Sequence, residues 1–291
     1  MKGTLLTVGL ITTLFLVCKN ASVENKDSKV VLPLDTLFEF SLKSPDRTIK
    51  LAPELKEISS AAYYNDSILL CVQDESADVF TLNLNTEMIV DRHISGMKGD
   101  YEGIEIIGKD VFLLKSNGNL LVYNNFFSND KKVSKFKTPL NAQNDAEGLG
   151  YDLKTNSLLI ACKNKSTLSE SNLDSINKRC IYIFNLGTGN LQLEPFICID
   201  LKELNTKTGI DKFMPSGLAV HPVSGYIYII SAVGNSLVVV NREGNLLFAE
   251  KLEKKIFRQP EGICFSSDGK TLFISNEGHD KNGNIQIFKA R

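Results

Sequence analysis

Three glutamates of this chain stand in one local setting. Glu102-Gly103-Ile104, Glu147-Gly148-Leu149 and Glu261-Gly262-Ile263 each set a carboxylate and a bare glycine ahead of an apolar run. A fourth copy, Pro215-Ser216-Gly217-Leu218, has Ser for Glu, and a fainter fifth, Glu57-Ile58-Ser59-Ser60, has Ser60 for Gly. Were the three carboxylates to converge at about 6 Å, each pair would repel by roughly 2.8 kcal/mol at an effective dielectric of 20. The total rivals the stability of a whole domain. Such a ring must hold a cation, hold protons at raised pKa, or splay into separate hydrogen bonds. Oxygen ligands without His or Cys favour calcium, and Asn144, Asp145 and Ser216 can add oxygens. The alternative is structural: each Glu accepts backbone N–H bonds from a neighbouring unit that the Gly lets approach closely. The residues alone leave both open.

Other chemistry-bearing residues are fewer. Asp74-Glu75 and Asn276-Glu277 each follow an apolar run and can shape the rim of a ligand pocket. His279, beside Glu277, is the candidate general base if the site is catalytic; His93 and His221 read as surface residues. Asp280-Lys281-Asn282-Gly283-Asn284 fails as an EF-hand loop, because its Gly comes too early and the terminal Glu is missing. There is no Gly-x-Ser-x-Gly elbow, His-Glu-x-x-His or phosphate loop.

The anchors recur at intervals of 43, 45, 69 and 45 residues, a period that suits propeller blades or helical pairs. The residues between them decide for strands. Short β-branched and aromatic runs, such as Val111-Phe112-Leu113-Leu114 and Leu120-Leu121-Val122-Tyr123, are broken by turns such as Ser116-Asn117-Gly118-Asn119, the pattern of hairpins. The long interval is a blade with a polar insertion at 163–179, read as an exposed loop. Four strands per blade leave the last blade one short. Leu37-Phe38-Glu39-Phe40-Ser41-Leu42 alternates apolar with polar and is assigned as its outermost strand, closing the ring between the chain ends. The sequence thus predicts an all-β, five-bladed β-propeller over 36–291, with six blades as the alternative.

Net charge of -1 gives no electrostatic case for nucleic acid. The N-terminus reads as an address: Lys2 precedes a 13-residue apolar stretch at 5–17, shorter than the ~20 residues of a membrane span. Phe15-Leu16-Val17-Cys18 resembles a bacterial lipobox, which makes Cys18 the lipidation site and 1–18 the signal, with 19–35 as a flexible tether; an ordinary secretory signal is the rival. Cys71, Cys162 and Cys264 lie in apolar runs and read as buried small hydrophobes, and Cys162 with Cys180, which flank the insertion, are the candidate disulfide.

The Glu-Gly anchors, Pro215-Ser216-Gly217-Leu218-Ala219-Val220-His221-Pro222, Gln259-Pro260-Glu261-Gly262-Ile263 and Asn276-Glu277 resemble the SdiA-regulated family of bacterial exported propellers, distantly similar to NHL-repeat proteins. The resemblance covers about 37–289 and implies a five-bladed propeller, export or membrane anchoring, and a bound calcium ion. Related lactonases set a metal-binding Glu in a similar Glu-Gly position, which by analogy implies Glu102, Glu147 and Glu261 as ligands. Two functions follow as expectations. One is a periplasmic or cell-surface, lipid-anchored calcium-binding module for a small molecule or an envelope protein; the other is a calcium-dependent lactonase or esterase at the channel mouth.

Overall fold

The computed structural model describes residues 38–164, 168 and 176–291. The expectations for the signal, Cys18, the tether and most of the insertion therefore lie outside the described residues.

Five antiparallel sheets follow one another along the chain. Blade 1 is β2 (Ile58–Asn65), β3 (Ile68–Gln73), β4 (Ser76–Asn83) and β5 (Met88–His93). Blade 2 is β6 (Tyr101–Ile107), β7 (Asp110–Lys115), β8 (Leu120–Asn124) and β9 (Lys132–Phe136). Blade 3 has β10 (Ala146–Asp152), β11 (Ser157–Cys162), β12 (Lys178–Asn185) and an outer strand split into β13 (Asn190–Leu191) and β14 (Ile197–Asp200). Blade 4 is β15 (Gly217–Val220), β16 (Ile227–Ser231), β17 (Ser236–Val240) and β18 (Leu246–Lys251); blade 5 is β19 (Pro260–Phe265), β20 (Thr271–Asn276) and β21 (Asn284–Lys289). The protein is a five-bladed β-propeller.

A strand from the N-terminal side completes blade 5, but not the segment the alternation selects. The closing strand is β1 (Arg47–Lys50), paired with β21 from Arg47 opposite Ile287 to Lys50 opposite Asn284. The segment 38–42 is no strand; Phe40 and Leu42 are buried in the cluster between blades 4 and 5. Its alternating apolar side chains mark a core-facing segment without a ladder partner.

The apolar faces of neighbouring blades pack on each other, so five clusters fill the five gaps between blades. The anchor glycines set the spacing at the inner strands. A Cβ on Gly103 would lie 2.6 Å from that of Leu149, one on Gly148 2.8 Å from that of Leu218, one on Gly217 2.3 Å from the Glu261 carbonyl, and one on Gly262 2.7 Å from Ser60 Cα. Each contact reaches the next blade at the same level. The inner strands therefore run in one direction around the axis, and the glycines are required by close approach.

Blade 3 departs from expectation twice. After its outer strand comes α1 (Leu201–Thr208), which the apolar pattern does not announce; Asp200 caps it by accepting from the backbone of Lys202 and Glu203, and Gly209 ends it at φ 73°, as caps of both kinds do. The disulfide joins Cys180 to Cys198, which are paired residues of β12 and β14, and Cys162 is a free, buried thiol. The expected Cys162–Cys180 pair is thus incorrect, because the outer strand brings Cys198 opposite Cys180. The surface reading of the histidines also needs correcting: His93 packs edge-on against Tyr123, and His221 against Phe265, both half-buried.

Candidate functional site at the channel mouth

Glu102, Glu147 and Glu261 are each the second residue of an inner strand, and each is a bulge. The pairing steps from Tyr101–Lys115 to Gly103–Leu114, from Ala146–Cys162 to Gly148–Ala161 and from Pro260–Asn276 to Gly262–Ser275. The glutamate between is left without a partner, and a bulge re-aims the side chain it carries. Blade 1 bulges identically between Ile58 and Ser60, so Ser59 is its counterpart of the glutamates.

The two serines at that position do different work from the acids. Ser59 Oγ donates to the Tyr101 carbonyl at 2.7 Å, and Ser216 Oγ to the Pro260 carbonyl at 2.6 Å. Each ties its blade to the residue just before the next blade's glutamate. Ser216 Oγ also accepts from Ala232 N at 3.1 Å, which commits the hydroxyl to backbone.

The carboxyls share one electrostatic field. Burial, then the charge of Glu147, pushes Glu102 up to about 10, with Asp100 and Glu261 adding to the rise. Burial and then Glu147 push Glu261 up to about 8 against a hydrogen bond from Gln259 and the charge of Lys163. Glu147, 5% exposed, rises to about 7 through burial, held back by Lys163. The Lys163 ammonium lies 2.5 Å from Glu147 Oε1; burial pulls its pKa down, but Glu147, Glu261 and Asp145 outweigh that and raise it. The chain itself thus sets one cation among these carboxyls. Among the described residues no group of three Asp, Glu, His or Cys side chains stands at metal-holding geometry.

Asp145 holds the left-handed conformation (φ 54°) just before β10 and accepts from the Asn164 amide. Asn144 is buried, its Oδ1 accepting from Asn141 N at 3.0 Å. Across the ring closure, Asp74 and Glu277 lie in each other's field: burial, then Glu57, Glu277 and Asp100, raise Asp74 to about 6. Gln259 donates to both Glu277 and Glu261. Among the described residues, Asp74 Oδ1 is buried with no partner, as is Oδ1 of the fully buried Asn276, whose amide nitrogen donates to Asn284 Oδ1. Glu75 and His279 are exposed, His279 on the loop between β20 and β21 with φ 49°.

Sequence reasoning missed two residues of this mouth. Lys163 falls in the polar insertion and Asp100 stands just ahead of β6, outside the repeated anchors, although the charge of Asp100 acts on Glu102, Glu147 and Asp74. A lysine directly after the second strand of a Glu-Gly blade was the available signal.

A family model described as SdiA-regulated matches residues 39–279. No functionally curated protein matches the chain. Among solved structures, a luciferin-regenerating enzyme superposes with a TM-score of 0.50 at 11% identity, covering 85% of this chain and 96% of its own. A Bacteroides thetaiotaomicron protein of unknown function gives 0.49 at 15% identity over 81% of this chain and 57% of its own, and streptogramin B lyase 0.47 at 10% over 84% and 87%. At 11% identity the first of these likenesses speaks for the fold alone.

Proposed function

We propose that this chain, which belongs to the SdiA-regulated family, is an exported, lipid-anchored binding propeller whose acidic mouth takes calcium in competition with Lys163. One observation carries the reading: three bulge carboxylates from three blades, Glu147 buried and Glu102 and Glu261 half-buried, share a field that a single ammonium only partly neutralises. The donors are oxygens of hard character, which fits calcium. Glu102 and Glu261 would hold the ion, with Asp100 beside them and Glu147 joining if Lys163 swings away; Ser216 is withdrawn by its backbone bonds. Bound there, calcium would supply positive charge for an anionic or carbonyl-bearing group of a small molecule or envelope protein. Asp74, Asn276 and Glu277 would form the rim. Export is supported by the apolar leader ending at Cys18 and by the Cys180–Cys198 disulfide, which suits an oxidising compartment.

Calcium titrated into the metal-free protein is expected to raise its melting temperature, since ligand at 100 times its Kd adds about 2.7 kcal/mol. Glu261→Gln should blunt the rise. An unchanged melting temperature at millimolar calcium overturns the metal reading; a Cys18→Ala protein still in the membrane fraction overturns the anchor.

A further inference from the structure

At the other end of the channel the five inner strands finish around a second opening. The ends of β2, β6, β10, β15 and β19, with the turns after them, enclose a cavity of about 950 Å3, at the upper end of the ~300–1,000 Å3 typical of small-molecule sites. Its walls include the rings of Tyr63, Tyr151 and Phe265. Every blade contributes, so the space exists only in the closed ring.

Its charged lining is Asp66 and Lys154, both exposed on turns, and the less exposed Glu105, Asp152 and Arg242; the last three decide what it can receive. Arg242 is held by Asp152 at 2.7 Å, a carboxylate 1% exposed, and lies over the Phe196 ring. Asp152 also accepts from Thr155 and the Lys154 backbone, so this pair is internally satisfied. His221 is fixed in its neutral form: Nδ1 accepts from the backbone of Val223 and Ser224, which leaves Nε2 to donate to the Gly269 carbonyl at 3.2 Å. Glu105 differs. It accepts Ile106 N–H at 3.0 Å and Tyr151 N–H at 2.9 Å, and among the described residues no lysine or arginine forms an ion pair with it. Two backbone donors leave lone pairs of the carboxylate unused. Burial pushes its pKa up to about 7 against these two bonds, so above about pH 8 it is an anion without an ion-pair partner beside aromatic rings, the chemistry that selects an ammonium on an apolar body.

We infer that this second mouth is a binding site for a small organic cation, its positive group at Glu105 and its apolar part against Tyr63, Tyr151 and Phe265. Cys264 makes the site testable. This free thiol lines the cavity and is half-buried, whereas Cys71 and Cys162 are fully buried; burial, then the charge of Glu105, pushes its pKa well up, so labelling is slow and is read as a ratio of rates.

The full-length protein would be treated with two methanethiosulfonates of similar size, one ending in trimethylammonium and one in sulfonate, and the adduct on Cys264 timed by peptide mass spectrometry. At low salt and pH 8.5, where Glu105 is ionised, the cationic reagent should label Cys264 about tenfold faster, and Glu105→Gln, which can still accept from Tyr151 N–H, should erase the preference. Benzyltrimethylammonium should slow labelling by a neutral reagent while benzenesulfonate does not. Equal rates for the two charges, a preference that survives Glu105→Gln, or equal protection by both additives overturns the assignment. If the variant fails to fold, the protection experiment on the unaltered protein decides alone.

Discussion

Replacing Lys163 by Met removes the ammonium from the carboxylate ring and keeps the aliphatic stem. In the parent, Glu147 titrates near 7 against 4.5 in the unfolded chain. Its folded pKa is raised, so the associated stability is complete below about pH 4.5 and is lost as pH climbs through 7. Without Lys163 that pKa rises further, and the loss continues beyond pH 7 instead of levelling off. At pH 6 both proteins carry a protonated Glu147, and the variant forfeits only a hydrogen bond, about 1 kcal/mol. At pH 8.5 the parent has an ion pair while the variant must still bind a proton; at about 1.4 kcal/mol per pH unit over one and a half units, the deficit grows to about 3 kcal/mol. This is within the range of about 3–5 kcal/mol for breaking a buried pair. In a protein of this size it lowers the melting temperature by about 6–12 °C. Urea unfolding of both proteins at pH 6 and 8.5, in chelator, measures it. A deficit that does not widen with pH would refute the view that Lys163 neutralises the ring.

Two further outcomes rest on the frame around the ring. Gly217→Ala drives a Cβ to 2.3 Å from the Glu261 carbonyl, a clash with backbone that should cost about 3 kcal/mol in urea unfolding, whereas Gly225→Ala, with nothing within 4 Å but φ 70°, should cost about 1 kcal/mol through strain alone. Cys198→Ser opens a bridge spanning 18 residues and should remove about 3 kcal/mol, with reduction of the parent giving the same loss.

The repeat and its blade count were legible because each anchor does a job that only certain residues can do. Gly103, Gly148, Gly217 and Gly262 sit where the next blade leaves no room for a Cβ, and hairpin turns such as Asn117-Gly118 supply φ of 80°. The closing strand was not legible. Arg47-Thr48-Ile49-Lys50 turns only Ile49 inward, which is enough for an edge strand but too little to form a pattern, while Phe38, Phe40 and Leu42 alternate convincingly yet belong to no strand. The disulfide was hidden by the split outer strand, since β13 and β14 both lie against β12. The placement of the glutamates at one end of the inner strands followed from topology, but the lysine beside Glu147 did not, because nothing in a polar run tells which member turns toward the axis. The second mouth was invisible for a related reason: its walls come from turns up to two hundred positions apart.

The pairing of β1 with β21 bears on how the molecule is made. Thr48 and Gln286, joined side chain to side chain, are 238 positions apart. The strand synthesised first is therefore the last to find its neighbour, and closing so long a loop is slow. Until then, two sticky margins stand open at once, the outer face of β21 and the free flank of β1. An unclosed ring is poised to trade strands with another copy, so slow, dilute refolding should yield more closed monomer than fast, concentrated refolding.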